Sequence, residues 1–194
     1  MKSIFLPFLL LSTLLLSAEG PKNVQPPNGL FMAMEAGAGH AQFNLEKEDR
    51  RYRDDFFVWP SVKFLLGYRY REHSLRISWL YESFEDLETI DIVSLGYRYD
   101  FLNIPIAHHT GVTLYPLFSF DFGYARAHKR DVRSWNSELG AGIVWMLASH
   151  LSISVLYARQ LMFWQSNEYD EISMRQIDNN IFRIGIGYGF GGSD

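Results

Sequence analysis

Apolar and polar positions alternate with a period of two along most of this chain, and residues 112–124 show the pattern most clearly. Their sequence is VTLYPLFSFDFGY, in which every second residue is apolar or aromatic. Side chains of a strand alternate between the two faces of a sheet, so one face of this segment is continuously apolar. The pattern recurs without a helical segment that would cover such a face. It predicts a closed sheet whose apolar face is turned outward into lipid.

Eight segments carry this alternation, and each has about the ten residues that a tilted membrane strand requires. They cover residues 30–44, 57–71, 74–83, 90–101, 111–126, 136–148, 150–164 and 180–190. The sequence therefore predicts an all-β fold, an eight-stranded antiparallel up-and-down transmembrane β-barrel. The residues predicted to face lipid are Met32, Met34, Ala36, Ala38, Val58, Val62, Phe64, Leu66, Tyr68, Tyr70, Leu75, Ile77, Trp79, Tyr81, Val93, Leu95, Tyr97, Tyr99, Phe101, Val112, Leu114, Pro116, Phe118, Phe120, Phe122, Tyr124, Leu139, Ala141, Ile143, Trp145, Leu147, Leu151, Ile153, Val155, Tyr157, Phe182, Ile184, Ile186, Tyr188 and Phe190.

The opposite face of the same strands combines glycines with charged residues. Glycine weakens strands, but the narrow interior of an eight-stranded barrel favours small residues. The inward glycines are Gly37, Gly39, Gly67, Gly96, Gly123, Gly140, Gly142, Gly185, Gly187 and Gly189. The inward ionisable residues, which we expect to pair across the lumen, are Glu35, Lys63, Arg69, Arg76, Glu82, Arg98, Asp121, Glu138 and Arg183. A soluble barrel of the lipocalin type would place its apolar side chains inside, so the pattern predicts a plugged ionic core instead.

The first twenty residues have the pattern of a secretory signal peptide. Lys2 precedes an apolar stretch at residues 4–16, and Ala18-Glu19-Gly20 supplies small residues for cleavage. A membrane anchor is the alternative, but this stretch is shorter than the roughly 20 residues that a spanning helix needs. The predicted organisation is a signal peptide at 1–20, a periplasmic lead-in at 21–29 and an outer-membrane barrel domain at 30–194.

The connections between the predicted strands alternate in length. Short links fall at 71–73 and 148–150, and longer polar ones fall at 45–55, 84–89, 126–135 and 165–179. Outer-membrane barrels have short periplasmic turns and longer external loops, so we place the N-terminus of the barrel in the periplasm. The connection at 102–110 departs from this asymmetry, because it is long and semi-apolar although it falls on the side of the short turns.

Aromatic residues gather at both ends of the predicted strands, as expected where Trp and Tyr meet the two membrane interfaces. The inner rim contains Tyr68, Tyr70, Tyr97, Tyr99, Phe101, Tyr188 and Phe190, and the outer rim contains Trp79, Tyr81, Phe122, Tyr124 and Phe163. The length of 194 residues supports one domain. A formal net charge of -4 gives no sign of nucleic-acid binding, and the absence of Cys excludes both a disulfide and a lipid-anchor cysteine.

The signal peptide, the eight alternating strands and the closing strand resemble the small outer-membrane barrels of Gram-negative bacteria, the group of OmpA, OmpX and the opacity proteins. The closing strand reads IFRIGIGYGF at 181–190 and looks like the C-terminal signal that the barrel assembly machinery reads. That signal usually ends on an aromatic residue, whereas Gly191-Gly192-Ser193-Asp194 follow Phe190 here. The resemblance implies a location in the cell outer membrane, with outer-membrane lipid, lipopolysaccharide and the assembly machinery as partners. Members of the group have diverse functions, so the resemblance implies no single one.

Two histidine motifs invite a chemical interpretation, and neither supports an active site. Lipid A deacylases of similar architecture carry a His-x-Ser pair, and His150 and Ser152 share one strand face. Residue 153 is Ile where that motif has Asn, and the pair points away from lipid, which favours a turn histidine followed by a lumen serine. His108 and His109 are adjacent and have no nearby acidic or Cys partner for a metal. We expect a non-enzymatic chain with no catalytic residue, cofactor or metal.

Two charged connections are candidates for contact with lipopolysaccharide. Residues 46–55 carry dense mixed charge, and residues 127–133 are basic. Solvated loop surface is one interpretation. The other is that cationic side chains meet lipopolysaccharide phosphates; the residues that fit it are Arg50, Arg51, Arg53, Lys129, Arg130 and Arg133. Glu168, Asp170 and Glu171 could instead share a divalent cation with lipid head groups.

Two classes of function fit these features. The first is a non-enzymatic integral barrel with a structural, envelope-integrity role or an adhesin-like role in which loops contact an extracellular ligand. The alternative is a narrow porin-like channel for small solutes, in which the small inward residues leave a file of water past the ionic pairs. A lipid A-modifying enzyme is a third hypothesis, against which the His150 motif already argues.

Overall fold

The computed structural model describes residues 26–47, 50–84, 88–102, 113–128, 133–148, 150–164 and 173–191. The expected signal peptide, the long connection predicted at 102–110 apart from Leu102, and the acidic residues Glu168, Asp170 and Glu171 lie outside these ranges. In the part of the chain that is described, no helix is long and apolar enough to cross a bilayer.

Eight strands form one closed antiparallel barrel in chain order, which confirms the predicted fold. They are β1 Gly29–Lys47, β2 Arg50–Tyr70, β3 His73–Phe84, β4 Glu88–Asp100, β5 Thr113–Ala127, β6 Arg133–Met146, β7 Leu151–Trp164 and β8 Ser173–Gly189. The barrel closes where β1 pairs with β8, from Phe31 opposite Gly189 to Glu46 opposite Ser173. Closure leaves no unpaired sheet edge at membrane depth, which is what a strand-built membrane span requires.

The alternation of the sequence appears directly as alternating exposure. In β3, positions from His73 to Phe84 alternate strictly between the outer surface and the buried interior. Large apolar side chains form the outer surface, for example Leu75 at 63% and Leu95 at 64% exposure. So much exposed apolar surface is expected only where lipid covers it.

One residue that was predicted to face lipid, Val58, lies inside the barrel. Gly37 pairs with Ser61 but Gly39 pairs with Val58, so β2 contains a bulge at Trp59 and Pro60. Proline has no N–H to give to a sheet ladder and is tolerated at bulges. The bulge reverses the inward and outward positions beyond it, and Val58 is therefore fully buried while Trp59 is 61% exposed.

The connections at the end of the barrel opposite Gly29 and Gly189 are shorter than predicted. Residues 45–55 were expected to form a long loop, but β1 continues to Lys47 and β2 begins at Arg50. The expected loop at 165–179 is shortened because β8 begins at Ser173, and that at 126–135 because β5 reaches Ala127 and β6 begins at Arg133. Strands that leave the membrane no longer need an apolar face, so the loss of alternation there did not mean the loss of the strand.

We call the end of the barrel with Gly29, Gly189 and the turn at Arg71 the inner end, and the opposite end the outer end. At the outer end β2 pairs with β3 only from Val58 onward, whereas its ladder with β1 continues to Lys47 opposite Arg50. The β8 ladder with β1 also continues past the last β7 pair, Phe163 opposite Gln176. A three-stranded extension, residues 45–47 of β1, 50–52 of β2 and 173–175 of β8, therefore continues beyond the last β7 pair.

Candidate functional site

Ten ionisable side chains are buried in the described part of the barrel, five acidic and five basic, and none is more than 7% exposed. Nine of them are the inward residues that the sequence analysis named. The ten are Glu35, Glu82, Asp100, Asp121, Glu138, Lys63, Arg69, Arg76, Arg98 and Arg183. Asp100 was missed, although it shares the parity of the inward Arg98 two residues before it. The interior is therefore formally neutral.

Lys63 joins two acidic residues from the far side of the barrel at the centre of the lumen. Its Nζ lies 2.9 Å from Asp121 Oδ2 and 2.8 Å from Glu138 Oε1. Arg76 binds the same Asp121 through two nitrogens, at 2.6 Å and 3.1 Å. Strands β2, β3, β5 and β6 thus meet in one set of charge-assisted hydrogen bonds, which are stronger than neutral ones.

Arg183 of β8 extends this network to the opposite side. Its Nη1 donates to Glu138 Oε1 at 2.8 Å, and its Nη2 donates to Glu82 Oε1 at 3.2 Å. The hydroxyl of Ser61 accepts a hydrogen bond from Arg183 Nε at 3.1 Å and donates one to Glu82 at 3.0 Å. The network, which we call the central network, crosses the whole width of the lumen.

The absence of a side chain at Gly96 leaves room for the central network. A Cβ at Gly96 would overlap the Asp121 carboxylate and come within 3.1 Å of Arg76 Nε. Any larger residue would therefore displace the carboxylate that binds both Lys63 and Arg76. Small inward residues in this barrel make room for long ionic side chains.

A second ionic group lies nearer the inner end. Arg69 Nη2 donates to Asp100 Oδ2 at 2.8 Å, and Arg98 Nε donates to Asp100 Oδ1 at 2.6 Å. Two guanidinium groups thus share one carboxylate. This group carries one surplus positive charge.

Two clusters of buried apolar residues flank the ionic groups. The sequence analysis predicted an ionic core and did not include these clusters. The outer cluster consists of Ala41, Phe43, Val58, Leu80, Phe84, Ile90, Ile92, Ala125, Ala127, Met162 and Ile177, with Phe56 packed against it. The inner cluster consists of Leu102, Tyr115, Leu117, Val144, Met146, Leu156 and Ala158. Phe43 packs edge-on against Phe56 and Phe84, with ring centroids 4.7 and 5.4 Å apart. The outer cluster therefore fills the lumen where it would have to open to the exterior.

The outer rim places one candidate lipopolysaccharide residue, Arg133, on the exposed surface directly across from Arg126. Just below them Trp135 stacks on Phe122, with centroids 5.5 Å apart, and meets Tyr124 edge-on at 6.2 Å. The backbones of Arg50, Arg51 and Arg53 belong to β2, but their side chains are not described. Lys129 and Arg130 lie outside the described residues.

The His150 motif holds no catalytic arrangement within the described chain. His150 Nδ1 lies 3.0 Å from the Gly189 carbonyl oxygen, and Ser152 Oγ donates a long, 3.5 Å hydrogen bond to the Gly187 carbonyl. The two side chains are thus hydrogen-bonded to the backbone of β8 rather than to each other. Across the described ranges, no group of three or more His, Cys, Asp or Glu residues could hold a metal ion.

Comparison with solved structures identifies similar barrels. Neisserial surface protein A superposes with a TM-score of 0.54 at 13% identity, over 86% of this chain and 100% of that one. The outer membrane protein AlkL superposes with a TM-score of 0.53 at 11% identity, over 88% and 94%. No family model and no curated protein matches the chain. With the fold of these proteins and an apolar band facing lipid, the chain is an integral outer-membrane β-barrel protein.

Proposed function

We propose that this protein is a non-conducting, non-enzymatic barrel of the outer membrane of a Gram-negative bacterium, with an adhesin-like role at the cell surface. The filled lumen carries this proposal. The central network crosses the barrel, and the outer apolar cluster lies between the network and the exterior. An ion or solute would have to break buried ion pairs and then cross an apolar layer, and both steps are costly.

The surface role is supported by the three-stranded extension. A barrel that only anchors itself in the membrane needs strands of about ten residues, whereas β1 has 19 and β2 has 21. Residues 45–47 of β1, 50–52 of β2 and 173–175 of β8 lie beyond the last β7 pair, where they support no membrane span. A hydrogen-bonded extension presents the adjoining external residues from a rigid base, which suits recognition of an extracellular ligand.

We further propose that lipopolysaccharide is a lateral partner at the β5–β6 rim. Arg133 is exposed at the outer rim, and its cross-strand neighbour Arg126 lies opposite Asp91 on the other adjoining strand. The Trp135, Phe122 and Tyr124 cluster marks the interface just below them. Lipid phosphates at this level fit the exposed guanidinium group of Arg133. The barrel assembly machinery is the proposed partner during biogenesis.

Planar-bilayer recording separates this proposal from the porin-like alternative. We expect folded protein to give no conductance above the background of the bilayer, because the central network and the outer apolar cluster fill the lumen. A porin reconstituted in the same way provides the positive control. Folding of the inserted protein is checked by the different gel migration of boiled and unboiled samples. Steady open events from folded protein would contradict the proposal and favour the channel.

A pair of variants separates the surface role from contact with lipopolysaccharide. In the first, Asn-Gly replaces residues 45–52, which closes the β1–β2 hairpin at Asn44 opposite Arg53 with a two-residue turn. The second is Arg133→Glu. We expect the first variant to lose attachment of cells to immobilised extracellular matrix while resistance to detergent with EDTA stays unchanged. We expect the second to lower detergent resistance and to leave attachment unchanged. Unchanged attachment in the first variant would contradict the adhesin-like role and favour envelope integrity.

A further inference from the structure

A small cavity at the inner end of the lumen is not explained by the surface role. Arg69 and Arg98 line it on one side, and Ser152 and Gly187 line it on the other. Pro27 of the lead-in also lines it. Its volume of about 20 Å³ is room for one occupant about the size of a water molecule.

The ionic group beside this cavity is unbalanced on its own, although the ten buried charges of the described barrel sum to zero. Both guanidinium groups bind Asp100, at 2.8 Å and 2.6 Å, so two positive charges face one negative charge. The second terminal nitrogen of Arg98, Nη2, is buried and has no hydrogen-bond partner among the described residues. Arg98 as a whole is only 7% exposed. An unpaired donor on a buried cation is costly, and an anion compensates it better than a neutral water molecule does.

We propose that this cavity binds one small monovalent anion of halide size. Arg98 Nη2 supplies the charged donor. The hydroxyl of Ser152, which makes only a 3.5 Å hydrogen bond to the Gly187 carbonyl, supplies a second donor by rotating toward the cavity. The small volume favours a monatomic anion over tetrahedral oxyanions such as phosphate and sulfate, and one negative charge neutralises the surplus of the Arg69, Arg98 and Asp100 group. The inference stands on the inner end alone and does not depend on the proposed surface role.

Chloride NMR tests the proposal on the folded full-length barrel in uncharged detergent. We expect folded protein to broaden the chloride resonance beyond the effect of micelles alone. Bromide should reverse this broadening by competition, and gluconate, which is too large for the cavity, should not. Arg98→Met should abolish the excess broadening. Arg71→Met is the matched control, because Arg71 lies exposed at the same end, with its guanidinium 5.4 Å from the Tyr70 ring centroid and outside the cavity lining.

A second variant keeps the test decisive if Arg98→Met does not fold. A Cβ at Gly187 would lie 2.8 Å from Ser152 Oγ and 3.6 Å from Ala33 Cβ. The hydroxyl can rotate away, so Gly187→Ala reduces the cavity without changing its charge, and we expect it to fold and to lose most of the excess broadening. Broadening that persists unchanged in folded Gly187→Ala or Arg98→Met would overturn the site. So would wild-type protein that broadens the resonance no more than empty micelles.

Discussion

Replacing Arg183 with methionine is expected to lower the free energy of unfolding by about 3–5 kcal/mol, the usual cost of removing one partner from a buried ion pair. Arg183 is fully buried and binds Glu138, Glu82 and Ser61 at once. Its loss leaves two carboxylates in a closed lumen without the cation that they share. Reversible urea unfolding in lipid vesicles, followed by tryptophan fluorescence, measures the change.

Arg159→Met is the matched control for this prediction. Arg159 also makes a two-point ion pair, with Asp178 at 2.5 and 3.0 Å, but its side chain is 60% exposed on the outer surface. Because this pair lies outside the lumen, its loss leaves no carboxylate uncompensated in the closed interior, and we expect a smaller change than for Arg183→Met. If both variants lost equal stability, burial in the lumen would not be the source of the cost.

Replacing Phe120 with arginine is expected to cost roughly 2–4 kcal/mol, the range for a basic residue on the lipid face near the bilayer midplane. Phe120 is 40% exposed, with Phe118 and Phe122 on the same face of β5. Its partners on the neighbouring strands are Tyr97 and Leu139. A guanidinium there must enter hydrocarbon or distort the bilayer to reach water. The same unfolding measurement applies.

Tyr124→Arg provides the control for depth. Tyr124 lies on the same strand and the same face, but beside Trp135 in the outer aromatic rim. Near the interface the cost of a basic residue falls to about 0–1 kcal/mol. The difference between the two variants therefore reports depth in the membrane. Equal losses would contradict the placement of Phe120 in the lipid band.

The barrel and the direction of most side chains follow from alternation alone. A period of two fixes which residues share a face, and the apolar face had to meet lipid because nothing else was left to cover it. Asp100 lies inward for the same reason as Arg98, so the parity rule predicts this residue as well, although the list of expected inward charges omitted it. Parity fails only where the ladder is irregular, as at Trp59 and Pro60, which turn Val58 inward.

The partners of each charge could not be predicted from the sequence. Lys63 meets Glu138, 75 residues away, and Arg183 meets Ser61, 122 residues away. Such contacts depend on the stagger of every strand around the closed barrel, which no local pattern encodes. The apolar clusters could not be predicted for a related reason. Parity already places Leu80 inward beside the outward Trp79, but which inward apolar residues meet across the barrel depends on the same stagger.

Arg183 lies in the last strand, so the charge of the interior is balanced only once that strand has been synthesised. Strands β1 to β7 contribute five buried acids but only four buried bases among the described residues, and β8 brings the fifth base. A chain truncated before β8 therefore lacks both its closing edge and the cation that neutralises its interior. Incomplete chains are thus doubly unsuited to the bilayer, which gives cellular proteolysis a physical basis for telling a truncated barrel from a finished one.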